Sequence, residues 1–173
     1  MRTMPESYWA GIFDGEGCVQ PYHYTSKIHG EKFIVAFRVT VSQKEPLILY
    51  MLQKQFGGYV RVTPFTTHNG YKTQRGVWEC SRAEDVIAFL SVIKPFIVIK
   101  EVEVMVALEI LDSVLKTRDQ YVRNKVKGGF NGKTPIELEE IRRRQTLERK
   151  FYEDRRDWKE MEIEVKPKLS PIV

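Results

Sequence analysis

Cysteine is almost absent from this chain: Cys18 and Cys80 are the two in 173 residues, set in different strand-like segments. A disulfide-stapled secreted fold is therefore excluded, and the pair lacks metal-ligand spacing. Both read as reduced core residues of an intracellular, soluble protein. Histidine is equally sparse, with three scattered residues and no zinc pattern. No apolar run approaches the roughly 18 residues a membrane helix requires, so no membrane partner is expected. The N-terminus, MRTMPESYW, lacks the basic-then-apolar layout of a secretory leader. What remains is a single globular domain or one with an appendage, 42% apolar and thus able to bury a core.

Acidic charge is scarce where basic charge gathers. Residues 17–82 carry nine Lys or Arg against three acids, whereas 83–115 carry two against six. The tail, 116–173, is basic again, and the whole chain has net charge +5. Positive charge divided between the middle and the tail suits a polyanionic partner; a merely solvated basic surface is the alternative.

Periodicity gives an α/β (mixed α+β) order. Residues 6–14 read as a short helix, ended by Gly15 and Gly17. A strand-like segment from Cys18 to Tyr24 and a polar turn lead to Phe33–Val41. There Phe33, Val35, Phe37, Val39 and Val41 share one face, the mark of a half-buried strand. Ser42-Gln43-Lys44-Glu45 has capping-box spacing before an apolar helix over Leu47–Phe56. Tyr59–Thr63 and Lys72–Cys80 flank an Asn69-Gly70 hairpin signal. Ser81-Arg82-Ala83-Glu84 repeats the capping-box spacing before a helix over about 83–93. A longer apolar helix runs from Lys100 to about Thr117. The basic loop Lys127–Lys133 and a charged helix from about 135 to 160 complete the chain. We expect a core over 1–126 and an extension over 127–173.

The stretch Ser7-Tyr8-Trp9-Ala10-Gly11-Ile12-Phe13-Asp14-Gly15-Glu16-Gly17 sets two acids at a helix C-terminus, where the macrodipole disfavours carboxylates. Acids beside unpaired carbonyls make a poor anion site and a good site for a hard divalent cation. The plainer reading is that the glycines are caps and both acids are solvated.

The same stretch resembles the signature of the LAGLIDADG homing endonucleases over Trp9–Gly17, with Trp9 where leucine is usual and Glu16 where aspartate is frequent. The α-β-β-α-β-β-α order over about 6–117 and the Lys94-Pro95-Phe96-Ile97-Val98-Ile99-Lys100 segment are also similar to that family. The resemblance implies a LAGLIDADG core with a curved antiparallel DNA-binding sheet. It implies an intron-encoded, site-specific endonuclease cutting both strands of a long pseudo-palindromic DNA. Glu16 would be the metal ligand with the Gly15 carbonyl beside it, and Asp14 a lesser candidate. Mg2+ is the expected cofactor, with Mn2+ as a substitute and Ca2+ binding without turnover. Lys100 matches the basic residue near the attacking water and Gln43 a water-positioning residue. Lys100 could equally be a phosphate contact or an ordinary first-turn lysine, and Gln43 an exposed capping residue.

One signature supplies half a site, so the family pattern implies a homodimer packed through Trp9, Ala10, Gly11 and Phe13. The sheet face opposite the core collects Gln20, Tyr22, Tyr24, Arg38, Thr40, Arg61, Thr63, Arg75 and Glu79, side chains suited to base edges. Lys27, Lys32 and Lys72, in or near turns, suit phosphates. That face could instead be simply solvated. The C-terminal helix mixes Arg142-Arg143-Arg144 with acids; it is either a solvated helix or one that grips phosphates or buttresses a dimer. Two rival functions use the same scaffold: a maturase binding intron RNA, and a DNA-binding regulator that never cuts.

Overall fold

A computed structural model describes residues 4–25, 32–126, 139–140 and 142–153, with backbone alone for 23–25, 32–35 and 117–126. Lys27, the 127–133 loop and the Thr134 helix start lie outside the described residues, as do the side chains of Tyr24 and Lys32. The element order is α1 (Glu6–Glu16), β1 (Gly17–Thr25), β2 (Lys32–Gln43), α2 (Pro46–Phe56), β3 (Tyr59–Thr66), β4 (Lys72–Cys80), α3 (Ala83–Ile93), a 3-10 turn (Lys94–Phe96) and α4 (Glu101–Val126). A further helical segment, α5, spans 139–153 apart from residue 141. The four strands form one antiparallel sheet in the order β1-β2-β4-β3.

The sheet buries one face. Val19, Phe37, Val39, Val41, Trp78 and Cys80 are within 1% of complete burial and share strand parity, and the helices cover that side. Phe89 on α3 is the hub of the core. Its ring meets Phe13 of α1 at 5.4 Å, Phe56 of α2 at 5.0 Å and Trp78 of β4 at 5.1 Å, each edge-on. Edge-to-face contacts of this kind favour the quadrupoles and add to the apolar burial. Both buried indoles keep a polar partner: Trp9 donates to Gln55 and Trp78 to the Gly57 carbonyl.

Glycine is obligatory at two joints. A Cβ at Gly17 would lie 2.1 Å from Phe13 Cδ2 and 2.6 Å from the Phe13 carbonyl oxygen. The chain can therefore leave α1 and enter β1 without a loop. Gly58 has φ +75°, and a Cβ there would lie 2.5 Å from the Glu79 carbonyl oxygen. It lets the chain leave α2 and enter β3 close against β4.

Several local readings are corrected. Neither serine caps a helix. Ser42 is still in β2 opposite Val77, and α2 is capped by Glu45, whose side chain accepts from Leu47 N. The N-cap of α3 is Arg82, with no side-chain cap bond. Cys80 is core, but Cys18 pairs with Thr40, giving it the parity of the other face, and it is half-buried. Helix α1 continues through Gly15 to Glu16, and α4 reaches Val126.

Helix α5 is docked on the core. Phe151 is fully buried against Phe37 at 5.7 Å. Arg144, 4% exposed, donates from Nε to Ser113 Oγ at 2.7 Å and from Nη2 to the Ser113 carbonyl at 2.9 Å. Arg143 bonds Glu109 at 2.5 Å and Glu140 at 3.3 Å. Burial alone would raise the Glu140 pKa. The Ser113 hydroxyl and the Arg144 and Arg143 guanidiniums more than offset it, leaving the carboxyl below its ordinary 4.5.

A depressed carboxyl stabilises the fold above its unfolded-state pKa, and the contribution fades as pH falls toward the folded value. The thermal midpoint should therefore drop as pH falls below about 4.5, more steeply for wild type than for Glu140→Gln. Parallel profiles for the two proteins would show that this cluster does not hold α5.

Candidate metal centre and nucleic-acid interface

The acidic end of α1 is divided between two tasks. Asp14 is turned toward the start of α4, where its Oδ2 accepts from Val98 N at 2.9 Å and Ile99 N at 3.3 Å, and its Oδ1 from Lys100 N at 3.2 Å. The amides of the segment leading into α4 are thus held from 84 to 86 residues away. Both Asp14 oxygens are engaged by the chain's own amides. Lys100 returns the contact: its Nζ donates to the Asp14 carbonyl oxygen. An ammonium therefore stands at the negative end of the α1 dipole, so part of the counter-charge for the acids is internal.

Asp14→Ala should lower stability by about 1–2 kcal/mol, the scale of amide hydrogen bonds lost from a charged acceptor. For a chain of this size that is a fall in thermal midpoint of about 2–8 °C. Asp14→Asn should recover part of it. A melting curve unchanged in the alanine variant would remove Asp14 from this role.

Glu16 is different. It is the last residue of α1 and exposed. Gly15 is exposed beside it, with open space around its Cβ position. Gly17 pairs with Val41, so Gln43, two residues further along β2, lies at the same end of the sheet. Gln43 has the parity of the buried face and is half-buried. Glu16, Lys100 and Gln43 thus share one corner of the molecule.

An exposed carboxylate beside helix-end carbonyl oxygens suits a hard divalent cation. Among the described residues, however, no group of three or more His, Cys, Asp or Glu could hold a metal ion. The donor set fits such an ion only as a fraction of a shell, to be completed from elsewhere.

The helix face expected to meet a second copy is corrected. Trp9, Ala10 and Phe13 are 0–1% exposed, inside the chain's own core. Their spacing, with Gly17 packed on Phe13, defines the inward stripe. The outward stripe is Ser7, Gly11 and Gly15, all exposed, flanked by half-buried Tyr8 and Ile12. Of the four expected interface residues, only Gly11 faces out, and nothing lies within 4 Å of its Cβ position.

Register fixes the other surface, because residues opposite one another across an antiparallel pair project to the same side. Gln20 is opposite Arg38, Tyr22 opposite Ala36 and Thr40 opposite Glu79. Tyr59, Arg61 and Thr63 are opposite Glu79, Val77 and Arg75. Eight of the nine expected face residues therefore share one surface in their described side chains, and Tyr24 falls in line by backbone register opposite Ile34. Lys72 is exposed at the hairpin end but has the other parity, opposite Thr66. Tyr59 and Phe65 belong to the same surface; sequence reasoning missed them, although Tyr59 has the parity of Arg61. The surface is cross-linked: Arg75 Nη2 donates to Ser42 Oγ at 3.4 Å, and Arg38 pairs with Glu79 at 3.6 Å. Burial is shared by Ala36 on this side, which is 8% exposed.

A helix-backed antiparallel sheet with one open polar face is the fold of solved homing endonucleases. No family model matches the sequence, and no curated protein does. Solved structures do. The homing endonuclease I-TnaI aligns over 88% of this chain and 99% of its own, with TM-score 0.51 and 19% identity. The homing endonuclease I-CvuI, in complex with its target in 2 mM Ca, aligns over 82% and 93%, with TM-score 0.50 and 22% identity. The meganuclease I-SmaMI, bound to uncleavable DNA, has TM-score 0.53 and 16% identity; the match covers 82% of this chain but 44% of that one. Among the described residues, no helix is long and apolar enough to cross a membrane.

Proposed function

We propose that this chain is one half of a homodimeric, divalent-metal-dependent endonuclease that cuts both strands of a long, approximately two-fold symmetric DNA site. The observation that carries the reading is the division of labour at the end of α1. Asp14 and Lys100 tie the helix end to the segment leading into α4, while Glu16 is exposed beside a flat glycine stripe. A second copy packed on Ser7, Gly11 and Gly15 would bring a second Glu16 to the same axis. That the chain spans nearly all of I-TnaI but under half of I-SmaMI supports a two-copy assembly.

Glu16 and the Gly15 carbonyl would hold the cation, and magnesium, or manganese in its place, would supply charge stabilisation and water activation for phosphodiester hydrolysis. The calcium-containing I-CvuI complex is in keeping with that donor chemistry. Lys100 keeps a fixed positive charge next to the reacting phosphate, and Gln43 offers an amide to a water at the same corner. The open face of the sheet lies along the major groove and its arginines and glutamine meet base edges. Lys72, at the β3–β4 hairpin, meets the backbone.

The test is selection of cleaved products from a randomised duplex library in magnesium, with sedimentation of the free protein. Expected are one enriched motif with two-fold related halves and a dimeric species. A 20.3 kDa species throughout, or no cleaved product from any sequence, overturns the proposal.

A further inference from the structure

The open sheet face has a polar knot at its centre, on the strands β2, β3 and β4. Glu79 lies opposite both Thr40 and Tyr59 in the sheet register. Its carboxylate is 3.6 Å from Arg38 Nη1, and Tyr59 is its direct neighbour across the β3–β4 pair. The Glu79 carboxylate, and after it partial burial, pushes the Tyr59 hydroxyl above its ordinary pKa. Glu79 is 14% exposed at its side chain while Arg38 is 41% exposed. The knot's acid is therefore turned into the sheet surface and its base is left available. Arg38 Nε is buried with no partner among the described residues. The donors open to a ligand are those at the Nη end, which pair with O6 and N7 of guanine.

By base chemistry alone, Glu79 would be expected to accept from cytosine. We infer instead that Glu79 touches no base: it is a positioning residue that, braced by Tyr59, fixes the Arg38 guanidinium to read a guanine in each half-site. A long side chain restrained before binding loses less entropy on contact, so the restraint sharpens discrimination rather than adding a contact. The inference rests on the DNA-binding reading proposed above, and its test keeps the two apart.

The Glu16→Gln protein, which is expected to bind without cutting, is used to select sites from a randomised duplex library at fixed salt. Selection is then repeated with Arg38→Ala, Glu79→Gln or Tyr59→Phe added. The parent protein should prefer guanine at one position per half-site by roughly ten- to a hundredfold, the range of one bidentate arginine contact. Arg38→Ala should abolish that preference. Glu79→Gln should flatten the same position and no other, and Tyr59→Phe should flatten it partly, with thermal midpoints close to the parent's.

If the parent selects no motif, the DNA-binding reading itself fails. If the parent selects a motif but Glu79→Gln leaves it intact, or changes a position that Arg38→Ala does not, Glu79 is not positioning Arg38 and the inference alone falls. Should Glu79→Gln unfold, Tyr59→Phe decides by the same criterion, because it removes only the brace.

Discussion

Glu16→Gln should abolish DNA cleavage while leaving site-specific binding in place. A bound cation contributes several kcal/mol to hydrolysis, so losing it slows cutting on the order of a thousandfold at about 1.4 kcal/mol per decade. Two features keep this effect separate from unfolding. Glu16 is exposed at the last position of α1, and the contacts that lock that helix end belong to Asp14 and Lys100. Its melting curve should overlay that of the wild type. Without metal, affinity for the selected site should hold or rise, since a carboxylate close to phosphates repels them. Titrating magnesium against single-turnover cleavage of one selected duplex checks the prediction. Wild-type cutting by the glutamine variant would mean that no cation is held at this helix end, and the proposed half-centre would have to be abandoned.

How much of this site was legible in the sequence follows from the range of the interactions that build it. Strand parity is local, so the alternation of Phe33 to Val41 was enough to give the open face, including Arg38 and Thr40. The same rule extended to β3 would have added Tyr59. Capping-box spacing at Ser42 and Ser81 misled, because the serine of such a box caps only if the chain has already left the strand. Ser42 instead stays in the ladder opposite Val77 and bonds Arg75 from a neighbouring strand.

The direction of α1 was also out of reach. A helix with apolar residues on several sides, Tyr8, Trp9, Ile12 and Phe13 among them, does not say which stripe meets its own core. Phe89, more than seventy residues downstream, decides it. Likewise the role of Asp14 lives in a contact spanning 84 to 86 residues, which no spacing rule within the signature contains. The resemblance already favoured Glu16 over Asp14 as the ligand; what it could not give is the amides that Asp14 meets.

Phe151→Ala should be among the most destabilising single changes in the chain. Its ring is fully buried against Phe37, and emptying an aromatic core site costs about 3–5 kcal/mol. At roughly 2–4 °C per kcal/mol for this chain length, the midpoint should fall by about 6–20 °C. Phe151→Leu should lose less, because it leaves a smaller cavity. The result bears on the boundary expected near residue 126: if α5 completes the core, protein truncated there should melt lower still, having lost Arg144 and its bonds to Ser113 as well.

The exposed side of α5 tests a separate possibility. Arg142, Arg149 and Lys150 are exposed and away from that packing. If they also grip DNA, Arg142→Glu with Arg149→Glu should leave the melting curve in place yet reduce the slope of log affinity against log salt, by about 1 for each lost phosphate contact. An unchanged slope with a large Phe151→Ala effect would make α5 a purely structural buttress. The opposite pattern, a shallower slope with Phe151→Ala melting like wild type, would make it a DNA clamp that the core does not need.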